Sequence, residues 1–231
     1  YLLRDIRALE RMLNEGWFEI DKTRIGAEQE FCLVDRNLKP APIAMEVLKK
    51  ANHPSFTEEF AMFNLEVNAS PQEFSGSALS VMEKEIQDAV KIARKAANEL
   101  NAEIILSGIL PTIRKYDVGM NNITPMERYF ALCKAINKLR GNEYELKIHG
   151  IDDLIFKHDS PLLEAANTGF QVHLQIHPDE FVRMYNIAQA ITGPVLSAAT
   201  FSPVLFGKRL WAETRVALFE QSVDTRKSSD H

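Results

Sequence analysis

The chain has 231 residues, of which 45% are hydrophobic and 26% are charged, and its formal net charge is −5. This composition is typical of a globular protein with one large domain or two small ones. The mild acidity and the lack of a lysine- and arginine-rich stripe argue against a nucleic-acid-binding surface, and no apolar run approaches the ~18 residues that a membrane-spanning helix needs.

The spacing of the hydrophobic residues predicts helices and strands in the following chain order. The first half is predicted to hold a helix over 2–13, a strand over 25–34, a short helix over 45–51, a strand over 62–68 and a helix over 79–100. The second half is predicted to hold a strand over 104–110, a helix over 126–139, strands over 145–148, 154–158 and 169–177, a helix that begins at Pro178, and a strand or helix over 211–219. The helix after Pro178 is expected to bury one stripe of side chains: Phe181, Met184, Tyr185, Ala188 and Ile191.

Two of the predicted strands alternate between apolar and polar side chains. The apolar sets are Phe63, Leu65 and Val67 in the earlier strand and Phe170, Val172, Leu174 and Ile176 in the later one. The polar sets are Asn64, Glu66 and Asn68, and Gln171, His173, Gln175 and His177. This pattern predicts an α+β fold in which a mainly antiparallel sheet carries helices on one face and polar side chains on the other.

Two carboxylates, Glu28 and Glu30, lie at the head of the apolar strand that ends at Val34. Residues two apart on a strand point to the same face, roughly 6.6 to 7 Å apart along the chain. An unpaired buried carboxylate is costly, and a hard divalent cation such as Mg²⁺ or Mn²⁺ relieves that cost. The alternative is an exposed face with two solvated acids.

The polar strand faces together offer a set of metal ligands. Three carboxylates and one imidazole could hold one or two divalent ions against phosphate oxygens, and these are Glu28, Glu30, Glu66 and His173. The alternative for His173 is a surface or hydrogen-bonded histidine. His177 is interpreted as a turn residue because it directly precedes Pro178.

Any nucleotide site must use metals and cationic side chains, because the chain has no Walker-type Gly-x-x-x-x-Gly-Lys run and no Gly-x-Gly-x-x-Gly sequence. Arg215 lies in an otherwise apolar segment, and its guanidinium suits a substrate carboxylate or a phosphate. The alternative for Arg215 is an ion pair with Glu213 or Glu220.

The two cysteines, Cys32 and Cys133, lie far apart and form no metal-binding spacing. Both have apolar neighbours in the sequence, which favours buried thiols in a reducing compartment. No signal peptide is recognised at the start of the chain. The sequence therefore predicts a cytoplasmic protein.

Four segments, taken together and in this order, resemble the glutamate–cysteine ligase type 2 group of carboxylate–amine ligases, within the glutamine synthetase-like superfamily. They are Gly26-Ala27-Glu28-Gln29-Glu30-Phe31, Leu65-Glu66-Val67-Asn68, Phe170-Gln171-Val172-His173, and Phe201-Ser202-Pro203 through Gly207 to Arg215. The resemblance spans roughly residues 25–225. It implies a single glutamine synthetase-like catalytic domain over 1–231, truncated at its C-terminus.

The resemblance implies that ATP phosphorylates a carboxylate, usually the side chain of glutamate, and that an amine such as cysteine then displaces the phosphate. On this interpretation Glu28, Glu30, Glu66 and His173 hold Mg²⁺ or Mn²⁺ against the ATP phosphates. Arg215 holds the amino-acid substrate or a transferring phosphate, and Asn68 and Gln171 contact substrate or ATP from the same face. The partners are small amino acids and amines, and by analogy the chain forms a homo-oligomer.

Two other functions are compatible with the same residues. A metal-dependent hydrolase would use the same acids and His173, and it would turn over without ATP. A regulatory module that keeps the fold without catalysis would bind nucleotide or amino acid without releasing ADP.

Overall fold

The computed structural model describes residues 1–140, 144–158 and 160–224, and residues 141–143, 159 and 225–231 of the predicted domain lie outside this range. The helices are α1 (Leu2–Asn14), α2 (Ala44–Ala51), α3 (Ala78–Asn98), α4 (Glu127–Arg140), α5 (Phe181–Ala198) and α6 (Arg215–Val223). The strands are β1 (Arg24–Val34), β2 (Phe56–Glu58), β3 (Asn64–Asn68), β4 (Gln72–Glu73), β5 (Glu103–Ile105), β6 (Tyr144–His149), β7 (Asp153–His158), β8 (Phe170–Leu174), β9 (Val204–Leu205) and β10 (Lys208–Arg209).

The main sheet is built around β1, the longest strand. All of its described pairings are antiparallel: β1 pairs with β3, β4, β5 and β8, and β2 pairs with β3. The strand pairs β6–β7 and β9–β10 form two separate hairpins. Long helices with a mainly antiparallel sheet confirm the predicted α+β class.

One face of the sheet is covered by α2 and α3. Alternate β1 side chains such as Phe31 and Leu33 pack here against the apolar stripe of α3, which includes Met82, Ile86 and Ala93. Phe31 and Leu33 have no exposed surface. The predicted helix over 79–100 is thus confirmed, and its burial fixes which side chains of β1 point to the opposite face.

The opposite face of the sheet is only partly polar. Cys32 and Val34 lie on it, and they belong to a second core that includes Phe63, Ile109 and Leu146. The predicted polar face is therefore found only where Glu28 and Glu30 pair with Asn68 and Glu66, and the end of β1 beyond them is apolar on this face. Phe63 was predicted on the wrong face, because β3 begins only at Asn64. The second core is formed largely by irregular segments and the β6–β7 hairpin, whose sequences show no clear period.

The predicted buried stripe of α5 is also wrong. None of the α5 residues is buried, and every residue of β8 is exposed on both faces. Within the described residues β8 pairs with β1 alone, so it lies at an edge of the sheet. Periodicity identifies the apolar side of an element, but it does not show whether another element covers that side.

Three smaller expectations have clear outcomes. The predicted strand over 104–110 is shorter, since β5 ends at Ile105. The segment over 211–219, predicted as strand or helix, contains the start of α6. His177 lies outside β8 and caps a short 3₁₀ helix by accepting a hydrogen bond from the Asp179 N–H (3.1 Å), which confirms it as a turn residue.

Both cysteines are buried and free of disulfide bonds, as predicted. Cys32 lies on the same face of β1 as Glu30, two residues further along. Among the described residues, the structure contains no helix with both the length and the apolar composition that crossing a bilayer requires.

Candidate active site

The candidate site begins where β1 and β3 pair, on the face of the sheet opposite α3. The antiparallel register places Glu30 directly across from Glu66, and Glu28 across from Asn68. Side chains directly opposite each other lie about 4.5–5.5 Å apart at their Cβ atoms, and like charges in that position repel. The fold therefore creates a concentration of negative charge that a cation or a proton must compensate.

A third carboxylate joins this pair. Glu30, Glu59 and Glu66 each offer one oxygen, and these three atoms lie within 4.8 Å of one another. We call these three residues the acid cluster. Glu66 is buried, and Glu30 and Glu59 are half-buried. Three close oxygen ligands with limited access to water are a donor set that hard divalent cations prefer.

Glu59 was missed by the sequence analysis because it follows β2 and belongs to no alternating strand. Contacts with distant residues fix its backbone: Thr124 donates its hydroxyl hydrogen to the Glu59 carbonyl (2.5 Å) and its N–H to the Phe60 carbonyl (2.9 Å). No local pattern indicates contacts across 65 residues.

The electrostatics of the acid cluster favour a cation. Burial raises the pKa of Glu59 to about 8, and the nearby charges of Glu30 and Glu66 act in the same direction. Burial also raises the pKa of Glu30, although the Gly169 N–H donates to its carboxylate (2.7 Å). Burial and the charge of Glu30 raise the pKa of Glu164 to about 7. Without a cation, this region retains protons at neutral pH.

The raised pKa values predict that the metal-free protein is less stable at pH 8 than at pH 5.5. The pKa of Glu59 is about 4.5 in an unfolded chain and about 8 in the fold. The cost of the buried charge is therefore absent below pH 4.5, and it is complete above pH 8. Thermal unfolding in EDTA across pH 5–9 measures the fall, which Mg²⁺ or Mn²⁺ should reverse at pH 8.

The matched control for this pH dependence is Glu59→Gln. This variant should show a smaller fall in melting temperature between pH 5.5 and 8, because its side chain has no charge to bury. Glu30 and Glu164, whose pKa values burial also raises, account for the fall that remains. Asp88, whose pKa is lowered to about 2 by hydrogen bonds from Lys84 and Lys91, affects stability only at lower pH. A melting temperature of the metal-free wild type that rises from pH 5.5 to 8 would show that burial does not raise the pKa of Glu59.

Glu28 and His173 form a second group next to the acid cluster. His173 lies on β8 opposite Gly26, and its Nε2 atom is 3.2 Å from Glu28 Oε1. Among the described residues, neither side chain belongs to the group of three that can share one ion. The structure thus divides the four predicted ligands into two neighbouring sets, and their role as ligands stays a prediction.

Asn68 and Gln171 support the carboxylates. The Asn68 side chain donates to Glu66 Oε1 (2.9 Å) and to the Thr57 hydroxyl (3.0 Å). Burial raises the pKa of Glu30, and the side chain of Gln171 acts in the opposite direction. Such donors orient carboxylates toward one point and favour their charged form. The predicted contacts of both residues with substrate or ATP remain predictions.

Arg215 forms the ion pair that the sequence analysis kept as an alternative. Its Nη2 atom donates to Glu213 Oε2 (3.0 Å), and its Nη1 atom donates to the Thr168 carbonyl (2.8 Å). Glu213 is 8% exposed and also accepts a hydrogen bond from Ser202 (2.7 Å). Thr168 directly precedes Gly169, whose N–H donates a hydrogen bond to Glu30. Arg215 therefore holds the backbone beside the acid cluster in position. Its predicted contact with substrate is untested.

A cavity of about 470 Å³ opens beside the acid cluster. Its lining residues are Pro54, Thr57, Glu58, Glu59, Glu66, Asn68, Arg128 and Tyr129. The two α4 residues present a guanidinium and a phenol: Arg128 donates to Glu58 (2.7 Å) and to the Tyr129 hydroxyl (3.0 Å). The cavity therefore has carboxylates on one side and a cation on another.

The sequence predicts the helix that carries Arg128 and Tyr129 but gives no reason to single out these two residues. Arg128 and Tyr129 lie in the first turn of α4, whose hydrophobic residues recur as in any amphipathic helix. The cavity that they line is completed by residues of β2 and β3, which are distant in the sequence. An arginine followed by a tyrosine in the first turn of a helix is too common a pair to indicate a site by itself.

Residues 24–229 match the sequence family described as glutamate–cysteine ligase family 2 (GCS2). Among solved structures, the chain is similar to a bifunctional glutathione synthetase from Pasteurella multocida, with 13% sequence identity and a TM-score of 0.47 over 72% of this chain. The chain spans 19% of the length of that protein's chain. No curated protein matches the sequence.

Proposed function

The chain belongs to glutamate–cysteine ligase family 2, and we propose that it is an ATP-dependent carboxylate–amine ligase. The proposed acid is the side chain of glutamate, and the proposed amine is cysteine or a similar small amine. The observation that carries this proposal is the acid cluster beside a cavity that also presents Arg128. A reaction between ATP and an amino acid needs both a cation site for phosphates and a cationic group for a carboxylate.

The residues fit Mg²⁺ or Mn²⁺. The donors of the acid cluster are all oxygen, they lie within 4.8 Å of one another, and burial raises the pKa of Glu30 and Glu59. We propose that Glu30, Glu59 and Glu66 hold one ion, and that Glu28 and His173 are ligands at an adjoining position. When bound, the ion neutralises negative charge on the ATP phosphates.

The proposed reaction has two steps. The substrate carboxylate attacks the terminal phosphorus of ATP and ADP leaves, which gives an acyl phosphate; the amine then attacks the carbonyl carbon and phosphate leaves. The side chains position the reactants: Arg128 and Tyr129 bind a substrate carboxylate, and Asn68 and Gln171 hold the acids and contact substrate or ATP. Arg215 is proposed to bind the amino acid or a transferring phosphate in addition to its ion pair.

We also propose the type of domain, the size of the substrates and the cellular compartment. An antiparallel sheet with helices on one face and carboxylates on the other supports a glutamine synthetase-like domain over 1–231. The size of the cavity, about 470 Å³, suits small amino acids and amines. The free, buried thiols support a cytoplasmic setting.

Phosphate release tests the proposed function. Purified protein is supplied with Mg²⁺ and ATP, with and without glutamate, and with a panel of amino acids and simple amines. Release that requires both glutamate and one amine is expected, and it would identify the amine. Turnover without ATP would favour a hydrolase, and ATP binding by calorimetry with no release would favour a regulatory module; either result would overturn the ligase proposal.

Arg128→Ala is expected to weaken substrate binding. Loss of a charge-assisted hydrogen bond to a carboxylate should raise KM for the acid substrate roughly 10- to 100-fold with a smaller change in kcat. Steady-state kinetics measure the effect, and Arg128→Lys should restore only part of it because an ammonium lacks the planar fork. Lys134→Ala, at an exposed position of the same helix, is the control. An unchanged KM in Arg128→Ala would remove Arg128 from the substrate site.

A further inference from the structure

Glu66 is the member of the acid cluster that is held in position by side chains. The other two carboxylates of the cluster each accept a hydrogen bond at Oε2 from a backbone N–H (2.7 and 3.2 Å). The hydrogen bonds to Glu66 within the described residues come from the Thr57 hydroxyl (2.9 Å) and the Asn68 side-chain amide (2.9 Å). The orientation of the Glu66 carboxylate therefore depends on which residues occupy these two positions.

The order of the strands brings Thr57 next to Glu66. Thr57 on β2 lies directly opposite Glu66 on β3, and Glu66 in turn lies directly opposite Glu30 on β1. The neighbouring Phe56 is buried in the core between the sheet and α3, so the side chain of Thr57 points to the other face, which carries the acid cluster. This row across three strands places a hydroxyl on one side of Glu66 and a carboxylate on the other.

Both hydrogen bonds end on the same oxygen of Glu66. Thr57 and Asn68 each donate to Oε1, and Oε2 receives no hydrogen bond from any residue that the structure describes. Asn68 also donates to the Thr57 oxygen (3.0 Å), which leaves the hydrogen of that hydroxyl to point at Glu66. An oxygen that already accepts two hydrogen bonds has little lone-pair capacity left for a metal ion, so Oε2 is the better ligand atom.

We propose that Thr57 is a positioning residue for the cation site: together with Asn68 it occupies Oε1 of Glu66 and directs Oε2 toward the ion. The inference rests on the cation of the proposed function, and it does not require ligase turnover. The β-branched side chain of Thr57 has few χ1 rotamers, which keeps the hydroxyl beside Oε1. Donors that orient a metal ligand in this way typically contribute 10- to 100-fold to metal affinity.

Binding of Mn²⁺ to the full chain without ATP tests this role, with free Mn²⁺ measured by electron paramagnetic resonance. Thr57→Val keeps the shape of the side chain and removes the hydroxyl, and it should raise the Kd for Mn²⁺ about 10-fold or more. Thr57→Ser keeps the hydroxyl and should recover most of the affinity. Because Thr57 is exposed, both variants should melt near the wild-type temperature in EDTA.

Thr192→Val is the matched control, because it removes a hydroxyl that donates to the Ala188 carbonyl within α5 (2.7 Å). Its Mn²⁺ affinity should equal that of the wild type. Wild-type affinity in Thr57→Val would overturn the role of Thr57 and leave the ligase proposal intact. Equal weakening in Thr57→Val and Thr57→Ser would also overturn it, since the hydroxyl would then have no effect.

Two further outcomes separate this inference from the proposed function. A wild type that binds no Mn²⁺ would overturn both the role of Thr57 and the cation site. Weakened Mn²⁺ binding in Thr57→Val, with recovery in Thr57→Ser and no phosphate release by the wild type under any condition, would support the role of Thr57 and contradict the ligase.

Discussion

Exchange of Glu30 for glutamine is expected to lower turnover in the proposed ligase reaction by about 100-fold or more without unfolding the protein. Glu30 is the member of the acid cluster that faces Glu66 across the sheet and receives the Gly169 N–H. A glutamine keeps the shape of the side chain and can still accept that hydrogen bond. It removes the charge that the proposed cation requires.

The stability of Glu30→Gln should equal or exceed that of the wild type in metal-free buffer. Burial and the charges of Glu66 and Glu28 raise the pKa of Glu30, so its negative charge opposes folding at neutral pH. A neutral side chain removes this cost, which is the usual trade between stability and activity at a functional site. Mg²⁺ should raise the melting temperature of the wild type more than that of the variant.

Glu73→Gln is the matched control for Glu30→Gln, because Glu73 is an exposed carboxylate on β4 of the same sheet. Phosphate release and thermal unfolding are measured on both proteins. A large loss of stability in Glu30→Gln with intact turnover would show that Glu30 has an architectural role. Full turnover with unchanged Mg²⁺ dependence would remove Glu30 from the cation site.

Arg215→Ala is expected to cost about 3 kcal/mol of unfolding free energy, because it leaves a buried carboxylate without its partner. Burial alone would raise the pKa of Glu213, but hydrogen bonds from Arg215 and Ser202 outweigh it and hold the pKa below its usual value. The substitution also removes the donor to the Thr168 carbonyl. Urea-induced unfolding measures the loss.

Two further variants distinguish the ion pair from a general loss of packing. Combining Arg215→Ala with Glu213→Gln should recover part of the stability, since the buried charge is then absent. Arg209→Ala removes an exposed arginine that is paired with Asp152, and it should change stability little. If Arg215→Ala keeps full stability and only raises KM, Arg215 binds substrate and does not hold the backbone at Thr168 in position.

The sequence predicts the part of the site that depends on strand alternation. Glu28 and Glu30 share a face because they are two residues apart, and Glu66 reaches the same face because the pattern of its strand fixes which side is apolar. Burial of the apolar side chains of β1 and β3 against α3 sets the register between these two strands, and this register places Glu30 opposite Glu66. The ion pair of Arg215 was also anticipated, as one of two readings of an arginine in an apolar segment.

Local patterns could not predict the rest of the site. Glu59 reaches the acid cluster through contacts with Thr124, and Arg128 reaches the cavity through the packing of α4 near β2. The exposure of α5 and β8 was missed for a related reason: a period shows which side of an element is apolar, and only the assembled fold shows whether that side is covered. In both cases the outcome depends on contacts between parts of the chain that are distant in the sequence, and a local pattern carries no information about such contacts.

Cys32 has a consequence for the electric charge on the face of β1 that carries the acid cluster. It lies two residues beyond Glu30 on the same face of β1, and burial raises the pKa of its thiol to about 12. A thiolate is therefore scarce at neutral pH, although a sulfur atom lies near the carboxylates. Cys32 therefore adds no negative charge to this face of β1, and the charge that a bound cation would neutralise there comes from the carboxylates.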